Sequence, residues 1–328
     1  MRWPTPAAQA RLHFVSGKGG TGKTTMAAAL AIAFAAKGEK VLLVETEGRQ
    51  AIAQLFDVPP LPPVDTLVES TGNGGSVSAL AIDIEHALLE YLDMFYNLGF
   101  AGRAIKRVGA IDFVTTVAPG LRDVVLTGKI KERVIATAPD GGLLYDRIVV
   151  DSPPTGRIGA FLDVTAAMRD LAKSGPIRAQ SEGVVKLLHS PETQVHLTTL
   201  LEAMPVQETV EAVEELRSKD LHVGVILLNR CSAHYLPDDQ LDDIAEGQLD
   251  TARLRESLAA AGLETSEADL AGLVSETVDY ARRLQAQQLA QAQLDEVEVP
   301  EIELPEIERS VDVGALYELA GVLKEAGV

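Results

Sequence analysis

The residues best suited to do chemistry in this sequence lie in one glycine-rich segment near its start. The segment reads Gly17-Lys18-Gly19-Gly20-Thr21-Gly22-Lys23-Thr24-Thr25 and contains the pattern G-x-x-x-x-G-K-[ST]. Glycines in this pattern turn successive backbone N–H groups around phosphate oxygens, while the lysine and hydroxyl that follow meet the phosphates and Mg²⁺. The pattern predicts a nucleoside triphosphate site; a glycine-rich turn without a ligand is the structural alternative.

An apolar run and a helical run flank this segment, which we call the phosphate loop. Leu12–Val15 precedes it and is typical of a strand, whereas the Ala-rich stretch Thr24–Ala36 has a strongly helical composition. Strand, loop and helix in this order place a phosphate at a helix N-terminus, where free N–H groups and the helix dipole favour anions. Lys18 is a second lysine that the pattern does not require.

A second polar group follows the apolar run Ile148–Val150. Asp151 ends this run and begins the loop Asp151-Ser-Pro153-Pro154-Thr155-Gly156. Because parallel strands end at the same edge of a sheet, Asp151 is a candidate Mg²⁺ ligand, directly or through water, opposite Thr24. Capping of the following helix is the alternative role. A loop in this position can sense the γ-phosphate and move when it is hydrolysed.

Composition and charge exclude several classes of protein. The chain has 328 residues, 46% of them apolar, and a formal net charge of −19. This charge argues against a nucleic-acid binder, because neutralising phosphates needs a basic face. No apolar run approaches the roughly 18 residues of a membrane span, and no signal-peptide core is present, so we expect a cytoplasmic protein. The single cysteine, Cys231, excludes an internal disulfide and a multi-cysteine zinc site within one chain, and we expect it to be structural.

The charge is unevenly distributed along the chain. The stretch 238–246 is acidic, whereas seven basic residues fall within about thirty positions. These basic residues are Arg103, Lys106, Arg107, Arg122, Lys129, Lys131 and Arg133. Either run is explained by a solvated helix face or by a docking surface.

Strand-like and helix-like segments alternate along the chain and predict an α/β fold, a doubly wound, mainly parallel sheet. The strand candidates are mostly continuous apolar runs, as expected for strands buried on both faces. They are Arg11–Val15, Lys40–Glu45, Val77–Ile84, Asp146–Asp151, Val195–Glu202 and His222–Asn229, with a late strand at Leu304–Ile307 and a closing helix at Ala315–Glu325.

Two regions interrupt this alternation within what we expect to be a single domain over residues 1–328. Asp57–Gly75 is rich in proline and glycine and predicts an irregular surface excursion. Residues 85–138 and 159–189 predict a helical subdomain inserted on the sheet. The apolar and aromatic stripe Leu88–Tyr96 is explained by packing within that subdomain or by a client groove.

Four features of the chain resemble a known ATPase family. They are Lys18 in the phosphate loop, the loop from Asp151 to Gly156, the run Val225–Arg230 that contains Asn229, and Glu303-Leu304-Pro305. Together they resemble the deviant-Walker P-loop ATPases of the ArsA type, which include arsenite-pump ATPases and ATPases that target tail-anchored proteins. The chain is most similar to actinobacterial "anion-transporting ATPase" members, and the resemblance covers nearly its whole length.

The resemblance implies a dimer that encloses ATP and Mg²⁺ between two chains. The lysine that matches Lys18 reaches the partner's nucleotide. Lys23 would hold the β- and γ-phosphates, Thr24 would hold Mg²⁺ and Thr25 would contact the α-phosphate. Asn229 would read adenine, and Pro305 would pack on the base. The loop from Asp151 to Gly156 would be the second switch, coupled to the helical subdomain, where Pro119-Gly120 and Asp123 resemble a family segment at a helix start.

The first switch departs from the family pattern Asp-x-Asp-Pro-Ala-His. Here the stretch runs from Glu45 through Glu47 to Gln54, and Gln54 occupies the position of the aspartate that orients the attacking water. A neutral amide orients water but cannot accept its proton as a carboxylate does. We therefore expect slow hydrolysis, or substitution by Glu47. Arg157 replaces a family histidine and is either a charge-stabilising contact or a salt-bridged surface residue.

Missing cysteines separate this chain from two familiar activities. Arsenite pumping needs a thiolate cluster, and a zinc site shared across a dimer needs Cys-x-x-Cys, whereas this chain has only Cys231. We expect a homodimer, or a heterodimer with a paralogous ATPase, that acts on a protein or membrane-associated client without zinc or nucleic acid. The alternatives are a low-turnover regulatory subunit and, from a different class, a partition or positioning ATPase.

Overall fold

The computed structural model describes residues 2–87, 120–164 and 176–328, without the side chains of residues 121 and 176–181. Within these ranges eight strands form one sheet. The strands are β1 Leu12–Gly17, β2 Lys40–Glu45, β3 Thr66–Ser70, β4 Ser76–Ala81, β5 Arg147–Asp151, β6 Thr193–Thr199, β7 Val223–Cys231 and β8 Glu301–Pro305. Their order is β3-β4-β2-β5-β1-β6-β7-β8, and all neighbours are parallel except β3 and β4. The doubly wound, mainly parallel α/β fold is confirmed.

The strand that leads into the phosphate loop lies between two strands distant from it in the chain. In β1, Leu12 pairs with Ile148 of β5 on one side and with Thr193 of β6 on the other. The chain leaves β1 toward β2 and returns to β6 on the opposite side, so the strand order reverses at β1. Ligands of open α/β sheets bind at the carboxyl ends of the strands at such a point.

Helices cover both faces of the sheet. Those within the described residues are α1 Thr5–Gln9, α2 Lys23–Ala35, α3 Ala51–Leu55, α4 Leu121–Val134, α5 Thr155–Leu162, α6 Pro176–Leu188, α7 Ala203–Ser218, α8 Leu241–Ala245, α9 Thr251–Ala260, α10 Glu267–Asp295 and α11 Val313–Glu325. None of them combines the length and apolar character that crossing a bilayer requires.

Alternation along the strands divides the core into two apolar layers. Phe14 faces the layer that includes Val124 of α4 and Val213 of α7. Val15 faces the opposite layer, which contains α2 and Leu316 of α11. Side chains on a strand point alternately to the two sides, so apolar residues at successive positions require cover on both faces.

The helix that follows the phosphate loop is buried on every side. Residues 26–35 of α2 are at most 1% exposed. Their alanines let α2 lie close to the strands and to α11, and a helix that is apolar all round belongs in the interior. This burial holds the N-terminus of α2 firmly at the carboxyl end of β1.

One element of the sheet contradicts the prediction of an irregular excursion from Asp57 to Gly75. Thr66–Ser70 forms β3 and pairs antiparallel with β4 through the turn at residues 71–75. The four prolines at residues 59–63 belong to the irregular part. The segment Thr-Leu-Val-Glu-Ser that follows them is β-prone in composition and suits an exposed edge strand, so the irregular part ends before Thr66.

Several predicted boundaries were also wrong. The strand predicted at Val77–Ile84 ends at Ala81, the one at Val195–Glu202 ends at Thr199, and the late strand begins at Glu301 rather than Leu304. Two of the apolar runs end at residues that start a helix: Asp83 accepts a hydrogen bond from the Glu85 N–H at 2.9 Å, and Glu202 is the N-cap of α7. Runs of apolar residues do not mark where a strand's ladder stops.

The longest described helix was missed in the sequence. The 29-residue helix α10 begins at a capping box, in which the Ser266 hydroxyl accepts from the Asp269 N–H and the Asp269 carboxylate accepts from the Ser266 N–H. The pattern Ser266-x-x-Asp269 is a signal for a helix start that could have been used.

The predicted helical subdomain is described in part. Helices α4 and α6 lie in its two segments, whereas α5 begins four residues before the second one. Thr137 and Leu143 form an isolated antiparallel bridge, so the helical pattern ends before Ala138. The stripe Leu88–Tyr96, Pro119 and the three basic residues Arg103, Lys106 and Arg107 lie outside the described residues.

Candidate nucleotide site

The phosphate loop has the backbone shape that its glycines predict. β1 ends at Gly17 and α2 begins at Lys23. Gly20 and Gly22 have φ angles of 91° and 94°, which side chains rarely tolerate. Gly17 lies so close to the Thr198 carbonyl that a Cβ would overlap it. The Thr21 hydroxyl donates to the Lys18 carbonyl at 2.9 Å and closes the loop.

The structure brings Thr24 and Asp151 together, as expected from the sequence. The Thr24 hydroxyl donates to Asp151 Oδ2 at 2.7 Å. Asp151 is only 7% exposed, and its Oδ1 is buried without a hydrogen-bond partner. A buried acceptor of this kind carries an energetic cost unless a ligand satisfies it.

Burial raises the pKa of Asp151 to about 6. The Lys23 ammonium and the Thr24 hydroxyl oppose this rise, and the carboxylates of Glu45 and Glu47 add to it. Two cations would relieve this accumulation of negative charge: Lys23, and a metal ion at the unpartnered oxygen. Asp151, Thr24, Lys23 and Glu47 therefore form one electrostatic unit.

The oxygen donors fit Mg²⁺. In the described part of the chain, no group of three or more His, Cys, Asp or Glu residues is arranged to hold a metal. Mg²⁺ in nucleotide sites does not need such a cage, because it is bound by one or two protein oxygens together with phosphates and water. The unpartnered Asp151 Oδ1 and the adjacent Thr24 hydroxyl supply such oxygens.

The first switch is anchored by Glu45, the residue at its start, to which the sequence pattern assigned no role. The buried Glu45 carboxylate accepts from the Gln50 N–H at 2.5 Å and from the Ile52 N–H at 3.3 Å at the start of α3. Gln50 has a φ of 58°. Its side-chain amide donates a hydrogen bond to the Leu61 carbonyl and accepts one from the Leu61 N–H. In the sequence, an acidic residue at the end of an apolar strand, followed by Gly48, is the pattern that could have identified Glu45.

The two candidates for handling water occupy different environments. Glu47 is 20% exposed and lies 3.4 Å from Arg49 Nη2, measured from its Oε2. Gln54 is on the exposed side of the short helix α3. Glu47 therefore belongs to the carboxylate group around Asp151, while Gln54 is exposed to solvent.

The second switch is attached to the phosphate site at several points. The Ser16 hydroxyl donates to the Pro153 carbonyl at 2.6 Å, and the Thr46 hydroxyl donates to the Asp151 carbonyl at 2.8 Å. Pro154 is the N-cap of α5, which begins at Thr155. Gly156 lies in its first turn. The loop therefore runs from Asp151 directly into the first turn of a helix.

Lys18 is paired within its own chain. Its Nζ lies 2.5 Å from Glu208 Oε1 of α7. The other oxygen of the same carboxylate accepts from the Thr155 hydroxyl at 3.3 Å. Glu208 thus connects the phosphate loop to the second switch, and no sequence motif had drawn attention to it.

Asn229 contacts the phosphate loop. Its Nδ2 donates to the Thr21 carbonyl at 2.8 Å, and its Oδ1 accepts from the Arg230 N–H at 2.9 Å. Arg230 has a φ of 57°, which turns the chain sharply at this point. Beyond these two contacts, the amide retains one N–H and one lone pair.

A cavity of about 570 Å³ adjoins the ends of β7 and β8. Pro305 lines it together with Arg230, Tyr235 and Tyr280. Cys231 also lines the cavity. Burial raises the pKa of its thiol to about 11, so the thiol is neutral and weakly reactive. Cavities of this size hold small organic ligands.

Arg157 connects α5 to α4. Its Nη2 lies 3.6 Å from Asp123 Oδ1, and Arg157 is half exposed. Burial raises the pKa of Asp123, while Arg157 and Arg122 oppose this rise. Of the two roles that the sequence left open, the structure supports the ion pair.

Comparisons with known proteins agree with this geometry. The family model described as "Anion-transporting ATPase" matches residues 10–298. The chain is similar to "ATPase BagA" of Mycobacterium tuberculosis, with 57% identity over 326 residues that cover 99% of this chain and 96% of that protein. It is also similar to an "Arsenical pump-driving ATPase" of Escherichia coli, with 26% identity over 81% of this chain and 45% of that protein.

A more distant relative comes from a eukaryote. The "ATPase ASNA1 homolog" of Entamoeba dispar is 23% identical over 256 residues, which cover 66% of this chain and 75% of that protein. The family match covers most of the chain and includes the phosphate loop, both switches and Asn229. The chain belongs to the anion-transporting ATPase family of the ArsA type, and it is an ATP-hydrolysing enzyme.

Proposed function

We propose that the chain is a dimeric, ATP-driven switch whose nucleotide state is passed to the helical region. The observation that carries this proposal is the pair of contacts flanking the second switch. Asp151 accepts a hydrogen bond from Thr24 at the phosphate site, and Arg157, just beyond the switch, pairs with Asp123 of α4. A movement of the loop on hydrolysis would therefore change contacts in both places.

In this proposal the phosphate loop binds the triphosphate of ATP. Backbone N–H groups from Gly17 to Gly22 surround the phosphates, Lys23 pairs with the β- and γ-phosphates, and Thr25 contacts the α-phosphate. Thr24 and Asp151 hold Mg²⁺. When bound, Mg²⁺ would neutralise the negative charge of the phosphates.

Residues outside the phosphate loop contact the base and the attacking water. Asn229 reads adenine with its remaining donor and acceptor, and the base enters the cavity lined by Pro305. Gln54 orients water after the first switch has closed around the nucleotide. Glu47, already in the carboxylate group near Asp151, is the second residue able to act on that water.

The dimer consists of two copies or of one copy with a paralogous ATPase. Lys18 of each chain reaches the partner's nucleotide, so that bound ATP joins the two chains. The client is a protein or a membrane-associated protein, and we assign no role to zinc or nucleic acid. A membrane role through α11 is disfavoured, because Leu316, Leu319 and Leu323 on its apolar face are buried.

A second candidate is a regulatory subunit with little turnover of its own, paired with a more active paralogue. Gln54 favours this reading, because its amide replaces a carboxylate at the water position and is exposed in this structure. Both candidates share ATP binding and a nucleotide-dependent shape. They differ in whether the chain's own hydrolysis is needed.

The test is capture of partners by tagged protein in three nucleotide states. Wild type with a trapping ATP analogue, wild type with ADP, and Lys23→Ala are compared, with Lys37→Ala as a control that changes a lysine after α2. We expect partners that depend on the trapped state and are lost in Lys23→Ala but kept in Lys37→Ala. Identical partners in every state, together with a monomer at all ATP concentrations, would contradict the proposal.

A further inference from the structure

Glu208 is shared between two parts of the nucleotide machinery. One carboxylate oxygen lies 2.5 Å from Lys18 Nζ, and the other accepts from the Thr155 hydroxyl at 3.3 Å. The Lys18 and Glu208 side chains are 29% and 34% exposed, so the pair is only partly shielded from water. Its stability is modest, and a stronger anion can displace the carboxylate.

The helix that carries Glu208 is fixed against the second-switch helix. Val206 and Val213 of α7 are fully buried, and the Thr209 hydroxyl donates to the Pro205 carbonyl at 2.8 Å. One turn beyond Thr155, Gly159 of α5 lies so close to the Glu215 carboxylate that a Cβ would overlap it. The helices α5 and α7 are therefore in contact both at Thr155 and at Gly159. Movement of α5 changes the position of Thr155 relative to Glu208.

We propose that Glu208 is a positioning residue that holds Lys18 on its own chain and links its release to movement of the second switch. This inference rests on the proposed function, in which Lys18 serves the partner's nucleotide. Lys18 has to leave Glu208 before it reaches across, because one ammonium cannot remain at 2.5 Å from this carboxylate and also contact phosphates of another chain. The phosphates compete with Glu208, and displacement of Thr155 weakens its hold.

The inference predicts that neutralising Glu208 favours the dimer. In Glu208→Gln we expect half-dimerisation with a non-hydrolysable ATP analogue at a protein concentration about two- to fivefold lower, the range for loss of an exposed ion pair. ATP affinity and Tm should stay near wild type. Glu208→Asp should behave like wild type, and Glu214→Gln, an exposed residue on the same helix, is the matched control.

Two measurements separate this role from a merely structural one. Without nucleotide, a lysine-reactive ester followed by peptide mass spectrometry should modify Lys18 about two- to fivefold faster in Glu208→Gln and not in Glu214→Gln. In a Lys18→Ala background, Glu208→Gln should no longer shift dimerisation. A shift of the same size in that background, or wild-type behaviour of Glu208→Gln in both assays, overturns the role of Glu208 alone. A wild type that does not dimerise with the analogue overturns the proposed function as well.

Discussion

Arg157, just after the second switch, lies 3.6 Å from Asp123 of α4, so an ion pair joins the nucleotide site to the helical region. Asp123 is more buried than Arg157, and its Oδ1 has no hydrogen-bond partner. The ion pair therefore helps to compensate a partly buried carboxylate. In the proposed function, this ion pair passes movement of the second switch to α4.

Reversing one charge of this pair should uncouple α4 from the nucleotide. We expect ATP to change the hydrogen exchange of residues 121–134 in wild type and to change it much less in Arg157→Glu. The double variant Arg157→Glu/Asp123→Arg should regain part of the response. Arg217→Glu, an exposed change on α7, is the control. An unchanged response in Arg157→Glu would show that α4 is coupled through other contacts.

A carboxylate at position 54 should raise turnover. In Gln54→Asp we expect kcat to increase about tenfold or more with little change in KM, because an aspartate can accept the proton of the attacking water. The matched variant is Gln54→Asn, which has the same size and no charge. If Asp and Asn at this position give equal kcat, the residue at position 54 does not act on the attacking water. Glu47→Gln should then be the variant that loses turnover.

Asn229 is expected to act on both the loop and the base. Asn229→Asp removes the donor to Thr21 and keeps the acceptor for Arg230. We expect ATP affinity to fall about tenfold, in line with the loss of a buried hydrogen bond, and GTP affinity to fall less. The measurement is competition of ATP, GTP and inorganic triphosphate against a fluorescent nucleotide. Equal losses for all three would mean that Asn229 acts only through the phosphate loop.

A buried pair of histidines beneath the site should make the fold sensitive to acid. The Val225 N–H donates to His196 Nδ1 at 3.2 Å, His196 Nε2 and His13 Nδ1 are 3.0 Å apart, and His13 Nε2 is 3.0 Å from the Ala10 carbonyl. The carbonyl only accepts, so this chain of bonds requires both rings to be neutral with the proton on Nε2. Added protons would break it.

Burial lowers the pKa of His196 to about 3 and the pKa of His13 well below its usual range, where the His196 and Arg147 charges lower it further. The unfolded chain therefore binds more protons below about pH 6.5, and stability is complete above that pH and is lost as pH falls. The loss is up to about 1.4 kcal/mol per pH unit for each histidine.

Urea unfolding at pH 7.5, 6.0 and 5.0 measures this loss. His196→Gln, whose amide can both donate and accept, should flatten the dependence on pH. His234→Asn, at an exposed histidine paired with Asp238, should keep the wild-type slope. If the free energy of unfolding of His196→Gln depends on pH as steeply as that of wild type, the histidine pair is not the source of the acid sensitivity.

The local site could be predicted because its chemistry is local. Residues 17–25 form the loop that their glycines require, and the apolar run before Asp151 brings that carboxylate to the carboxyl edge of the sheet next to Thr24. The edge strand β3 was missed because prolines just before it resemble a loop, and strand pairing depends on partners that a local pattern does not show. The helix α10 was missed despite a capping box in its sequence.

The sequence by itself determined the phosphate loop, the parallel α/β sheet, the family and its ATPase activity, because glycine patterns and apolar runs act over a few neighbouring residues. Only the tertiary structure decided which carboxylate pairs with Lys18, where Arg157 attaches and what Asn229 contacts. Glu208 is 190 residues from Lys18 in the chain, and Asn229 is 208 residues from Thr21. Such contacts are set by the strand order, which brings distant helices and strands to one edge, and no spacing along the chain specifies them.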